Sequence, residues 1–222
     1  MACKRSGVRV PVSPPNLLGF TNDGSHASTE NARRGISAYI STRSFIDFMS
    51  AENTRYSLWV RPPAEVADRL QALISQLADT YNAPHFSPHM TLVANVLTDQ
   101  ANTAALQARV QALSQKLGTF SITLKQFGYL EEEHRCLFLL AESPELTRVY
   151  EQTAVLFPEV AAEHFAAMPH FSMLYGHYDQ AAKENMIADN PAPELTFEAA
   201  AIDLVASGGP AETWKTVFSV EL

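Results

Sequence analysis

Residues 88–92 read Pro88-His89-Met90-Thr91-Leu92, and residues 169–173 read Pro169-His170-Phe171-Ser172-Met173. Each segment is a histidine behind a proline, followed two positions on by a hydroxyl residue between apolar neighbours. Composition sets the weight of the pattern. Seven His among 222 residues predict roughly one His-x-Ser/Thr by chance, and four occur, at His26, His85, His89 and His170. Requiring the proline and the flanking apolar residues lowers that expectation to roughly 0.01, and only the two quoted segments pass. His85 fails because Pro88 follows Ser87.

On a strand, residues two apart share a face. His89 and Thr91 then point together while Met90 and Leu92 pack into the opposite layer, and His170 and Ser172 repeat the arrangement. If the lobes carrying these strands face each other, the cleft between them receives two imidazoles and two hydroxyls. That set suits a phosphodiester. One imidazole takes a proton from water, the other protonates the leaving oxygen, and the hydroxyls donate to the non-bridging oxygens. An unperturbed pKa near 6.5 lets imidazole serve both roles around neutral pH, with no metal required.

Outward from the motifs, the chain reads as two similar series. Tyr56 to Val60 is an apolar strand ended by Arg61-Pro62-Pro63. Val66, Leu70, Leu73, Ile74, Leu77 and Tyr81 keep helical spacing, and a loop at 82–88 leads to the first motif. After a second helix closed by Gly118 and an alternating strand at Phe120, Ile122 and Leu124, the series recurs. Cys136 to Ala141 is a strand, Leu146, Val149, Tyr150, Ala154 and Phe157 mark a helix, and a loop reaches the second motif. Leu58 to His89 and Phe138 to His170 are nearly equal offsets, so an internal duplication is inferred. A helix at 181–188 and strands at 195–206 and 213–222 complete an α+β set, with Ser207-Gly208-Gly209-Pro210 as a turn.

Sixteen basic against 24 acidic groups leave a formal charge of −8. Long nucleic acid is therefore not an expected partner, since gripping it needs clustered Lys and Arg. The imbalance lies in the body, because residues 1–48 carry six basic groups against three acidic ones. This leader, through residue 54, lacks sustained periodicity and is expected to be disordered. It reads as a flexible tail, a start-site extension with initiation near Met49, or an organelle-targeting segment. No apolar run approaches a membrane span and no disulfide framework is implied, so a cytoplasmic protein without a membrane partner is expected.

Tyr56-Ser57-Leu58-Trp59, the two motifs, Cys136-Leu137-Phe138-Leu139-Leu140, Tyr175 behind the second motif, and Thr213-Trp214-Lys215-Thr216-Val217 together resemble the ordered landmarks of the cyclic nucleotide phosphodiesterases. These are the plant and fungal type within the two-histidine phosphoesterase superfamily, and the resemblance covers about residues 55–222. It implies a two-lobed, internally duplicated α+β fold, with antiparallel sheets lining a central cleft and helices outside. It implies hydrolysis of ADP-ribose 1″,2″-cyclic phosphate and of nucleoside 2′,3′-cyclic phosphates to 2′-nucleotides by a monomer without cofactor. Carried over by position, His89 and His170 are the acid/base pair, with His170 as base and His89 as acid. Thr91 and Ser172 bind phosphate, and Trp59 and Tyr175 contact the nucleotide.

Other residues carry blander readings. His85 and His89 at i, i+4 do not make a zinc pair, because Pro88 forbids a regular helix and no further ligands accompany them. His134, His164 and His177 are expected at the surface, with a place at the cleft open to His177, and Glu131-Glu132-Glu133 reads as a solvated turn. No Lys or Arg adjoins either motif in sequence. The rival functions are an RNA-end-processing relative and a nucleotide-binding module without catalysis.

Overall fold

The computed structural model describes residues 8–9, 54–98, 102–160 and 168–222. The expectations for the leader, apart from a two-residue strand at its start, and for His164 lie outside the described residues. Strands are β1 (Val8–Arg9), β2 (Thr54–Arg61), β3 (Met90–Thr98), β4 (Ser121–Tyr129), β5 (Leu137–Glu142), β6 (His170–Leu174), β7 (Leu195–Glu198), β8 (Ala201–Ala206) and β9 (Lys215–Glu221). Helices are α1 (Ala64–Tyr81), α2 (Thr103–Leu117), α3 (Leu146–Leu156) and α4 (Gln180–Asp189).

Pro62 and Pro63 end β2, and Pro63 becomes the N-cap of α1, whose Leu70, Ile74, Leu77 and Ala78 form the buried stripe. Asn82, in the left-handed region at φ 52°, closes that helix, with the Ala83 N–H donating to the Ala78 carbonyl. Both features agree with the periodicity read from sequence.

The two series each form a strand, helix, strand unit, β2–α1–β3 and β5–α3–β6, whose strands pair antiparallel. Their helices are exchanged, α1 packing against β6 and α3 against β3. From α3, the Tyr150 hydroxyl donates to the Thr91 carbonyl at 3.2 Å. The duplication is thus a pseudo-two-fold arrangement in which each half supports the other's motif strand.

The halves do not form separate sheets facing across a gap. They are one mixed sheet in the order β1-β4-β5-β6-β3-β2-β8-β9, joined at its centre by antiparallel pairing of β3 with β6 at Met90 and Phe171. Both of these residues are fully buried. The stretch 195–206, expected as one run, is two strands: β7 pairs with β4 in one half and β8 with β2 in the other. The break at Ala199 and Ala200 carries the chain between halves, with the Ala200 N–H donating to the Arg61 carbonyl. Likewise β9 begins only at Lys215, because a short 3₁₀ turn at Ala211–Thr213 precedes it and leaves Trp214 outside the strand.

Candidate active site

Register decides what shares a face. Because Met90 opposes Phe171 in an antiparallel pair, His89 falls opposite Ser172 and Thr91 opposite His170. The four motif side chains therefore occupy two adjacent cross-strand positions on one face, while Met90 and Phe171 enter the core on the other. The row through Thr91 continues to Trp59 on β2, Asp203 on β8 and Ser219 on β9.

Both imidazoles are held alike. His89 Nδ1 lies 2.7 Å from the Ser87 carbonyl oxygen, and His170 Nδ1 lies 2.7 Å from the Met168 carbonyl oxygen. A carbonyl only accepts, so each Nδ1 carries the proton and each neutral ring keeps its Nε2 lone pair. In both cases the motif proline sits between the histidine and the residue that supplies the carbonyl. It restricts the residue before it to extended backbone, which sets where that carbonyl points.

Aromatic rings pack on each imidazole. Trp59 stacks on His89 with centroids 3.6 Å apart and planes 12° apart, and Phe138 tilts against His170 at 5.0 Å. Trp59 is paired with Thr91 and Phe138 with Ser172, so these two rings are the equivalent pair, one position on from the sequence match of Leu58 with Phe138. Gly128 makes the second arrangement fit: a Cβ there would stand 2.5 Å from Phe138 Cε2 in a ring that is fully buried.

Ser172 is buried, and its hydroxyl donates to the His134 carbonyl at 2.9 Å. Binding a phosphate oxygen through Ser172 thus requires its hydroxyl to turn from His134. Thr91 is half-buried, beside Trp59. Tyr175 is buried, stacked on Phe86 at 3.9 Å, and burial holds its phenol well above the ordinary tyrosine range.

Sequence reasoning missed two residues here. Trp214 is half-buried and lies edge-on to Trp59 at 5.7 Å, to His89 at 6.3 Å and to Tyr175 at 6.0 Å. Its position in the last landmark was its one signal. His134 is exposed, as expected, yet its ring meets Tyr175 at 4.9 Å and its carbonyl holds Ser172. His177 is exposed, 3.9 Å from Glu133, and His85 lies 3.1 Å from Asp79. The acidic turn is exposed at Glu131, Glu132 and Glu133, but it does more than meet solvent. The Glu133 carbonyl accepts from the N–H of Gly176, which sits at φ 144°, and buried Lys183 donates to the Leu130 carbonyl at 3.0 Å. The turn also brings Arg135 near enough to His170 for its charge to push that imidazole's pKa down, although Arg135 is paired with Glu132.

Electrostatics favour neutral imidazoles in the free protein. Burial lowers the His89 pKa to about 4, against the pull of the Ser87 carbonyl and with the help of repulsion from His170. Burial also lowers His170, opposed by the Met168 carbonyl, with Arg135 pushing down and Glu132 up. Cys136 is buried, its thiol pushed up to about 12 chiefly by burial, and its Sγ donates to the Leu174 carbonyl at 3.1 Å. It is inert.

The His89 shift fixes an acid sensitivity. The unfolded chain protonates this ring near 6.5 and the folded one near 4, so the unfolded state binds more protons between those values. Stability from this group is complete above pH 6.5 and falls by about 3 kcal/mol as pH drops to 4. Urea unfolding of the wild type and of His89→Gln, each at pH 7 and pH 4, measures it. Equal losses in the two proteins would refute the assignment.

Two clamped imidazoles and two hydroxyls on neighbouring strands define a two-histidine phosphoesterase. The chain belongs to the 2′-5′ RNA ligase superfamily, whose sequence profile matches residues 40–210. The fold is similar to that of TT0787 of Thermus thermophilus, with a TM-score of 0.56 and 18% identity over 76% of this chain and 97% of that one. It is also similar to E. coli LigT, at a TM-score of 0.51 and 14% identity for the NADP+ complex, covering 77% of this chain and 99% of that one. For the apo form of LigT the values are 0.50 and 16%, covering 77% and 98%. No curated protein sequence matches this chain.

Proposed function

We propose that this phosphoesterase is a cyclic phosphodiesterase of the plant and fungal type. It opens ADP-ribose 1″,2″-cyclic phosphate to the 1″-phosphate and nucleoside 2′,3′-cyclic phosphates to 2′-nucleotides. The observation that carries the reading is the matched clamp, one 2.7 Å Nδ1-to-carbonyl contact at each histidine, on strands whose register sets each imidazole opposite the other motif's hydroxyl. His170 Nε2 takes a proton from water, the water oxygen attacks phosphorus, and the bond to the 3′ oxygen breaks as His89 Nε2 delivers a proton to it. Thr91 and Ser172 donate to the non-bridging oxygens, where charge concentrates in the transition state. Both rings are neutral in the free protein, so His89 takes up the proton it delivers from solvent as the anionic phosphate binds, and His170 returns the proton it acquires to solvent after turnover.

A small substrate is supported by the charges around the sheet. Arg61 is paired with Asp203 and Glu221, Arg135 with Glu132, Lys125 with Glu142 and Arg109 with Glu159, so these cations form no open basic track for RNA. Phosphorus NMR of products, with EDTA present, tests the reading. The panel is 2′,3′-cyclic AMP, ADP-ribose 1″,2″-cyclic phosphate and an oligoribonucleotide ending in a 2′,3′-cyclic phosphate. Efficient opening of the first two to 2′- and 1″-phosphates is expected. Loss of activity in EDTA, no opening at all, or preference for the oligonucleotide would overturn it, the last in favour of RNA-end processing.

A further inference from the structure

Beside the imidazole pair lies a cavity of about 290 Å³ that none of the motif residues lines. Its walls include Trp59, Phe86, Trp214, Gln71, Ser87 and Glu212. Three of these tie it to the reaction centre. Trp59 stacks on His89, the Ser87 carbonyl holds His89 Nδ1, and Trp214 lies 6.3 Å from the same imidazole. The volume is at the lower end for small-molecule pockets, enough for one base rather than a dinucleotide.

The polar lining offers one carboxylate, Glu212, beside the Gln71 amide, the His85 ring and the hydroxyl residues Ser87 and Thr216. Glu212, in the 3₁₀ turn before β9, is exposed and carries no ion pair among the described residues. Gln71 spends its amide N–H donors on the Phe86 carbonyl at 3.2 Å and Ser75 Oγ at 3.4 Å, which leaves its amide oxygen to accept. The His85 ring, also in the wall, is 3.1 Å from Asp79. A carboxylate is an acceptor only, with two oxygens side by side, and matches an edge that offers two adjacent donors. Of the common bases guanine presents that edge, through its N1–H and 2-amino group. Adenine and cytosine offer one amino group, and uracil a single N–H between two carbonyls.

Resting on the cyclic phosphodiesterase reading, we infer that this cavity is a nucleobase pocket in which Trp59, Phe86 and Trp214 supply the apolar walls and Glu212 selects a donor-rich base, guanine above all. The aromatic walls bind any base face, and the carboxylate sets the rank order.

The test compares kcat/KM of the full chain on the 2′,3′-cyclic phosphates of guanosine, adenosine, cytidine and uridine and on 1-O-methylribose 2,3-cyclic phosphate, which has no base. Guanosine is expected to exceed uridine about tenfold or more, the size of a hydrogen bond to a charged group, and the base-free compound to be slowest. Glu212→Gln places a donor against a donor, so the guanosine-to-uridine ratio should collapse to within about twofold of one, through KM rather than kcat. Equal turnover of all five, or an unchanged ratio in Glu212→Gln, would overturn the pocket and leave the phosphodiesterase reading standing. Failure to open any of the five would instead defeat that underlying reading.

Discussion

His89→Ala and His170→Ala each lower turnover of a 2′,3′-cyclic nucleotide by about 10²- to 10⁴-fold, the usual contribution of a positioned acid or base. Thermal melting at pH 7 should show both variants folded, because neither ring belongs to the apolar core, although losing the buried His89 ring leaves a void against Trp59. A variant that keeps more than about a third of wild-type rate would remove its histidine from the mechanism. The double variant should be little worse than either single one, since the two rings act on one phosphorus as a unit. The pH profile carries a further signature. Productive encounter needs one proton on the pair, and both pKa values lie below the ordinary 6.5, so kcat/KM should fall as pH rises above that value. A profile that keeps rising to pH 8 would show that a different group donates the proton.

Phe171→Ala should cost about 3–5 kcal/mol in urea unfolding, the range for truncating a buried aromatic. Phe171 is fully buried, lies edge-on to Phe197 at 6.0 Å, and opposes both Met90 and Leu139. It belongs to the pairing that joins the halves at the centre of the sheet. Its loss therefore loosens the spacing of the histidines as well as the core, and kcat should fall alongside stability. Val217→Ala, on partly exposed β9, is the control and should stay within about 0.5 kcal/mol of wild type. A cost below about 1 kcal/mol for Phe171→Ala would show that the junction is held elsewhere.

Much of this site was legible in two five-residue segments because its logic is local. A strand alternates faces, so His89 with Thr91 and His170 with Ser172 had to point together once their segments were extended, and Met90 and Phe171 had to enter the core. Proline before each histidine is equally local, since it orients the carbonyl that holds Nδ1. The stripe of α1 and its stop at Asn82 follow from periodicity and backbone preference alone.

What the residues could not declare depends on partners distant in the chain. That the motif strands pair directly within one continuous sheet follows from pairing of Met90 with Phe171, 81 positions apart. The division of 195–206 between two halves was hidden because both pieces are strand-like by composition and only their neighbours differ. Trp214 and His134 come to the site on turns, whose side-chain directions have no period to read. Burial, and hence the lowered pKa of His89, is a property of everything packed around the ring. The amino-acid sequence by itself determined which side chains each motif strand presents, because alternation is a local property of extended backbone. Only the tertiary structure decided that the two sets meet, since long-range strand register depends on how the whole core packs.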